Sequence, residues 1–582
     1  MMAERKAPRK QVKSDPESEA WNKLPWRKFE QHVYRIQKRI YQAQKRGNER
    51  AVQKLQKLLM KSEAARLLAV RRVTQDNQGK KTAGIDGIKS VPPKGRQLLA
   101  QQSHPKNWKN QRPRPVRRVW IPKPGKSNER RPLGIPTMLD RSKQSLAKLA
   151  LEPEWEAVFE PNSYGFRPGR SCHDAIGAIF NAIRYKPKYV FDADIAGCFD
   201  NISHNALVGK LHTYPAMRQV IKAWLKAGIM EGVEFAKTDK GTPQGGPLSP
   251  LLANVALHGM ETMVERGHRG RNVEKPILIR YADDFVLLHS DEKKLQRAAE
   301  AVKEHLAGMG LELKPSKTKW THTLTPYQGN VGFEFLGFQV RQHPVGKNRT
   351  GKDTHGRKLG FKTLITPSKE AIKRHTHGIK ERLRGMRNIS QEKLIKQLNP
   401  VIRGWTRYYR TVVATKTFAT CDFILYHQLE QWARHKHPTR GEWWIHRKYW
   451  RKGETRNWVF STPEKQEIWQ HNKTSIQRHS KVNGEASPYD GNLLYWSQRL
   501  RNHPMLKGTL ARLLQKQQGK CRWCELLFRP GDLIEIDHIT PKSEGGGEEL
   551  SNKFALHRHC HDVRHAKNAA KSIDNSDHTL SS

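Results

Sequence analysis

Two acidic residues, Asp283 and Asp284, interrupt an otherwise apolar stretch, with Ile277-Leu278-Ile279-Arg280-Tyr281-Ala282 before them and Phe285-Val286-Leu287-Leu288 after. Strand-forming runs on either side of a polar pair predict a hairpin, and adjacent carboxylates at its turn repel one another unless a cation lies between them. A further strand-like run, Tyr189 to Ile195, carries Asp194 close to its end. A hairpin presenting Asp283 and Asp284 beside that strand would hold two Mg²⁺ ions. Such ions sit about 3.5–4 Å apart and stabilise the attacking and leaving oxygens of a displacement at phosphorus. Asp-Asp between apolar runs also occurs in ordinary solvated turns, so the rest of the chain must decide.

The chain has 582 residues, and at about 150 residues per domain it divides into roughly four units. Apolar residues make up 36% of it, enough for real cores, while 107 Lys and Arg against 55 Asp and Glu leave a net charge of +52. Self-repulsion of that size is tolerable only with a polyanion bound; solubility alone needs far less charge. A membrane partner is less expected still, since no run approaches the roughly 20 apolar residues of a spanning helix. The start, Met1-Met2-Ala3-Glu4-Arg5-Lys6, lacks the apolar centre of a signal peptide. Nucleic acid is therefore the expected partner, with steeply salt-dependent binding.

The first twenty residues read as a basic tail. Trp26, Phe29, Val33, Ile36 and Ile40 recur at helical spacing, and Leu55 to Leu68 continue the pattern. From Val119 short apolar runs broken by Pro and Gly suggest a mixed α/β domain. Helical patterning returns from about Gly360 to His437, Ser461–Glu464 and Val482–Asn492 read as connectors, and there are no internal repeats. Of six cysteines, Cys172, Cys198 and Cys421 are scattered, whereas Cys521, Cys524 and Cys560 cluster, which in a chain without a secretion signal points to metal binding. Cys521-x2-Cys524 with His557-x2-Cys560 reads as a structural zinc knuckle, a closed sulfur and nitrogen set. His559 is an alternative to His557 as the fourth ligand. Such an ion contributes on the order of 10 kcal/mol to a small module.

Ordered motifs then carry a resemblance. Arg131-Pro132-Leu133-Gly134-Ile135-Pro136 with Asp140-Arg141, Tyr164-Gly165-Phe166-Arg167-Pro168-Gly169-Arg170-Ser171, and Asp194-Ile195-Ala196-Gly197-Cys198-Phe199-Asp200 come first. Gly241-Thr242-Pro243-Gln244-Gly245-Gly246-Pro247-Leu248-Ser249-Pro250, Tyr281-Ala282-Asp283-Asp284, Gly310-Leu311-Glu312-Leu313 with Lys317-Thr318-Lys319, and Phe335-Leu336-Gly337-Phe338 follow. From about Trp21 onward the sequence resembles reverse transcriptases, specifically the proteins encoded by group II introns. The resemblance implies that Asp194, Asp283 and Asp284 bind the polymerase Mg²⁺ ions and that Phe199 is the steric gate against a 2′-hydroxyl. It also implies that Gln244, with Gly245-Gly246, lines the nucleotide site. Asp200 matches no ligand position and is read as ordering the strand-to-helix turn. Lys123, Arg131 and Lys317 are candidates for the incoming triphosphate.

Leu398-Asn399-Pro400-Val401-Ile402-Arg403-Gly404-Trp405 and Tyr408-Tyr409 resemble the family's thumb, domain X. Arg403, Trp405, Arg407 and Arg410 suit phosphate contacts and stacking on RNA, although in a helical bundle Trp405 and Tyr408 are more often core. Glu535-Ile536-Asp537-His538-Ile539, Asn552 and His557-x2-Cys560-His561 resemble the HNH endonuclease signature. There His538 would be the general base and Asp537 and His561 would bind one divalent ion. Asn552 would order the loop and contact the metal, and His565, one turn after His561, would be a further ligand. The family usually has Cys where His557 stands.

The expected architecture is a multidomain α/β right-hand reverse transcriptase with fingers and palm, an α-helical thumb and a C-terminal ββα-metal HNH domain. Its expected divisions are a basic tail at 1–20, an RNA-binding helical extension at 21–100 and fingers and palm at 101–358. The thumb, or maturase domain X, follows at 359–440, then a DNA-binding linker at 441–512 and a zinc-containing HNH nuclease at 513–582. By resemblance the protein copies RNA into DNA and helps its intron RNA splice in a ribonucleoprotein. It nicks the second strand of double-stranded target DNA to prime synthesis from dNTPs. A bacterial cytoplasmic setting is implied, with organelles as the alternative. Two rival readings are a reverse transcriptase of another bacterial setting and a maturase that only assists splicing. The thumb and nuclease signatures oppose the first, and the full set of carboxylates opposes the second.

Overall fold

The computed structural model describes residues 20–123, 126–266, 274–453, 458–506 and 508–565, without the side chains of 123 and 126–128. The tail at 1–19, the last residues of the nuclease unit and the Lys123 side chain lie outside the described residues. Among those described, no helix is long and apolar enough to cross a membrane.

The N-terminal pattern folds as it reads. Trp26–Lys45 is a helix burying Trp26, Val33, Ile36 and Ile40 on one stripe. It is followed by Glu49–Lys61, whose start is capped by the Asn48 side chain accepting from the Ala51 N–H. These helices pack on the long helix Met138–Glu156, and a single apolar cluster runs from Trp21, Ile40 and Leu59 through Leu146 to Phe285. The extension expected at 21–100 therefore has no core separate from the palm.

The central sheet has four antiparallel strands in the order Ile277–Tyr281, Asp284–His289, Tyr189–Asp194 and Lys319–His322. Asp284–His289 is buried along nearly its whole length, whereas Lys319–His322 buries only Thr321. Val116–Lys123 pairs with Lys126–Ile135 and, in parallel, with Ile229–Glu231 to form the second sheet. Phe361–Pro367 is a strand paired with Phe338–Pro344, so helices begin only at Lys369, later than the pattern from Gly360 suggested.

Three helices follow, Lys369–Gly385, Gln391–Tyr409 and Thr415–Lys436. Tyr408 and Tyr409 tie them to the sheet domain by donating their hydroxyls to the Leu336 and Gly337 carbonyls, at 3.1 and 3.2 Å. Gly337, at φ 81°, is needed there, since a Cβ would stand 2.9 Å from the Tyr409 hydroxyl. Residues of the expected linker join this bundle's core, with Ile445, Tyr449, Trp450, Phe460 and Ile468 packed among Leu394, Leu398 and Trp432. At the C-terminus Ile534–His538 and Lys553–His557 form a hairpin followed by helical residues 558–565.

Candidate metal centres

Asp194 and Asp284 are direct partners across adjacent strands, and Asp283 stands at the intervening turn beside them. Burial pushes Asp284 up to about 7, reinforced by the charges of Asp283 and Asp194, and burial raises Asp283 as well. The charges of these three carboxylates act on one another, a repulsion that a divalent cation would relieve. The turn is made by Ala282 at φ 58°, a conformation ordinarily left to glycine. It is over-determined from beneath by Arg280, wholly buried, whose guanidinium donates to the Ala282 carbonyl and Asn254 Oδ1 at 3.0 Å and to Ser163 Oγ at 2.7 Å. Desolvation lowers Arg280 to about 10. Gly165 allows this approach, since a Cβ on it would sit 2.3 Å from the Ala282 nitrogen.

The other predicted residues ring this centre unevenly. Lys317 pairs with Asp194, and its turn is set by the Lys314 N–H donating to the Asp194 carbonyl at 2.8 Å. Arg131, exposed on its strand, lies near enough to Asp283 for its charge to offset part of that rise. Phe199 is half-buried in the short helix Cys198–Asn201, and its carbonyl accepts from the Thr242 N–H at 2.6 Å. Gln244 follows in the same segment and holds the fingers strand through its carbonyl, which accepts from Gly134 at 2.8 Å. Asp200 lies near Arg118, while the turn it was expected to order is held by Asn201, whose amide donates to the Ala196 carbonyl at 3.1 Å.

In the C-terminal unit Cys521, Cys524, His557 and Cys560 are all buried, with ligand atoms within 4.8 Å of one another, so they could hold a metal ion. His557 turns Nδ1 towards Cys524 Sγ at 3.4 Å and Nε2 towards Asp532 at 3.3 Å, the carboxylate–histidine arrangement that orients a ligand. His559 meets Glu30 of the N-terminal helix at 3.3 Å and also reaches Cys524. A second group, Asp537, His561 and His565, also lies within 4.8 Å. His538 stands beside it on the strand, its Nε2 buried and without a hydrogen bond among the described residues. Asn552 is committed to the loop. Its oxygen accepts from Thr540 at 2.8 Å, and its nitrogen donates to the Thr540 and Gly547 carbonyls at 3.1 and 2.9 Å. Its oxygen accepts that single bond from Thr540 and keeps a second lone pair, so the loop role occupies the amide nitrogen and leaves the oxygen able to meet an ion.

Of the basic residues on Gln391–Tyr409, Arg403 is exposed and stacks over Trp469 at 4.3 Å. Arg407 and Arg410 lie half-buried beside it, and Arg410 reaches Ser475 at 3.5 Å. Trp405 is wedged between His375, stacked at 4.3 Å, and Tyr409, a packing position. Farther on, Trp443, 71% exposed, lies under Arg447, and Arg440 and Lys448 cover Trp444.

Sequence reasoning passed over two supports. Arg280, a charge inside an apolar strand run, is a signal that could have been used, since a strand interior tolerates a charge only when it is bonded. Arg564 ties the nuclease strand together through Asp537 and, at 2.7 Å each, the carbonyls of His538 and Ile539; nothing in its surroundings in sequence announces this.

Comparison with known proteins divides along these same lines. Residues 121–340 match the model of reverse transcriptase (RNA-dependent DNA polymerase), and 21–102 match that of the N-terminal domain of reverse transcriptase. Residues 372–450 match the group II intron maturase-specific domain and 521–567 the HNH endonuclease. The group II intron-encoded protein LtrA of Lactococcus lactis subsp. cremoris is 33% identical over 326 residues, covering 45% of this chain and 53% of LtrA. Protein YkfC of Escherichia coli (strain K12) is 31% identical over 332 residues, 50% of this chain and 83% of YkfC. Maturase-like protein 1 of Euglena gracilis is 27% identical over 390 residues, 66% and 76% of the two chains. The chain thus spans about half the length of LtrA.

Proposed function

Since the chain belongs to the family of group II intron-encoded proteins, joining reverse transcriptase, maturase-specific and HNH endonuclease domains in one polypeptide, we propose that it copies RNA into DNA from a primer that its own nuclease cuts. The observation that carries this reading is the pairing of Asp194 with Asp284 beside Asp283. These three would hold two Mg²⁺ ions, which supply charge to the attacking 3′-hydroxyl and the leaving pyrophosphate. Lys317, Arg131 and Lys123 would hold the triphosphate. Phe199 would crowd a 2′-hydroxyl, and Gln244 would line the nucleotide site.

In the C-terminal unit His538 would take the proton from the attacking water, its Nε2 being free of a hydrogen bond among the described residues and 3.7 Å from the Glu548 carboxylate. Asp537, His561 and His565 would hold one divalent ion that neutralises the scissile phosphate, with Arg564 fixing the strand that carries Asp537 and His538. Zn²⁺ in the Cys521, Cys524, His557 and Cys560 set would be structural. Intron RNA would lie against the basic face of Gln391–Tyr409 and the N-terminal helices, and target DNA against the Trp443 to Arg512 region. The divisions 21–100, 101–358, 359–440, 441–512 and 513–582 then describe tasks more than separate cores.

Primer extension on an RNA template with Mg²⁺ and dNTPs tests the polymerase. The wild-type chain is expected to extend and Asp283→Ala to lose at least about 10³-fold, the scale of removing a main electrostatic contributor. A wild-type chain that cannot extend would overturn the reading in favour of RNA binding alone.

A further inference from the structure

Phe166 occupies the left-handed region of backbone space at φ 59°, where a bulky residue is an outlier that persists only if its surroundings impose it. They do so on both sides. Before it, the Tyr164 N–H donates to the Arg280 carbonyl at 2.9 Å, and the Gly165 carbonyl accepts from Asn254 at 2.8 Å. After it, the buried Arg167 is clamped by both oxygens of Glu156 at 2.9 Å and by the Glu160 and Ser163 carbonyls. Yet the ring so held is 48% exposed, so burial does not repay the strain. What the ring touches is Phe199, edge to face, with centroids 6.0 Å apart and planes at 83°. Phe199 is itself partly buried and packed against the main core.

We infer that Phe166 is a positioning residue for sugar selection: its contact fixes the depth of the Phe199 ring in the nucleotide site and so sets the preference for deoxy- over ribonucleotides. The inference rests on the polymerase reading above. A gate that can tip away discriminates less, and an edge-to-face contact is a specific geometric restraint on one ring. A merely structural Phe166 would be an odd choice, because its conformation favours glycine and its side chain buries little.

The test compares kcat/KM for dNTP and rNTP on a primed RNA template, using the full chain and four variants, F166A, F166G, F199A and F166A/F199A. The ratio of the two values is blind to the fraction of folded enzyme. F166A and F166G are expected to lower discrimination about three- to tenfold, the range such a ring pair supplies. F166G should keep or raise the melting temperature, because glycine relaxes the strain. The double variant should discriminate no worse than F199A, since Phe166 acts through Phe199. Unchanged discrimination in F166A and F166G, or losses that add in the double variant, would overturn the inference. If F199A itself leaves discrimination intact, the gate assignment is at fault, and a chain that does not extend primers at all refutes the polymerase reading.

Discussion

Among the carboxylates pushed up to about 7 are Asp284 and the buried Glu154, and of these two only Asp284 belongs to the proposed reaction centre. For both, burial is the largest cause. Asp284 is raised further by Asp283 and Asp194, whereas the next influence on Glu154 is a hydrogen bond from Gln56 that lowers it. A perturbed acid does not by itself mark a site; what singles out Asp284 is its place opposite Asp194 and next to Asp283. The Asp283-Asp284 turn was legible because its residues are adjacent and flanked by strand-forming runs. Glu154 was not, because Gln56 reaches it from 98 residues away. Its raised value has a consequence for stability. The folded chain holds this proton more tightly than the unfolded one, so the stabilisation is complete below the ordinary value of 4.5 and is lost as pH rises towards about 7. Glu154→Gln keeps an acceptor for Gln56 and removes the buried charge. It should match wild type near pH 4.5 and exceed it at pH 8 by about 1–3 kcal/mol. Melting temperatures at the two pH values check this, and a difference independent of pH would count against it.

The helical residues 558–565 concentrate three tasks in two turns. Cys560 joins the metal group, His561 and His565 face Asp537, and Arg558, His559 and Asp562 reach Asp76, Glu30 and Arg71 of the N-terminal helices. The cysteine spacing announced the Cys and His cluster that could hold a metal. The choice of His557 over His559 was not readable, because it depends on Asp532 and Glu30, partners that only the fold supplies. The strand Phe361–Pro367 was hidden for a similar reason, its state being set by pairing with Phe338–Pro344 rather than by its own pattern. The metal's role can be isolated, because the module's small core of Leu513, Leu514, Phe528, Ala555 and Leu556 includes three of the four ligands and is distinct from the other clusters. Cys524→Ser should release bound Zn²⁺, open residues 508–565 to limited proteolysis and abolish DNA nicking, with primer extension kept within about threefold, since structural zinc contributes its energy only to the module it closes. Nicking at the wild-type rate by a zinc-free variant would contradict this.

Across the whole molecule the net charge of +52 and the shared cores act together. One apolar cluster joins the N-terminal helices to the palm, and another joins the thumb to residues 445–468, so basic surfaces on different segments are held in fixed relation rather than on tethers. The charge was legible from composition and the motifs from order, but the merging of expected domains was not, because burial between distant helices leaves only a generic amphipathic pattern in each. Fixed basic surfaces should engage many phosphates at once, and each neutralised phosphate releases counterions, so affinity should fall linearly on logarithmic scales with salt. Between about 50 and 200 mM salt a protein with six to ten phosphate contacts loses roughly 10³–10⁵-fold, and a loss of that order is expected here for a structured RNA. Arg403→Ala, removing an exposed guanidinium next to Arg407 and Arg410, should lower the slope by about one and weaken unrelated RNAs equally. Filter binding across a salt series measures both quantities. A slope unchanged by Arg403→Ala would remove that residue from the RNA-facing surface, and a shallow wild-type slope would mean that the charge serves something other than a polyanion held along its length.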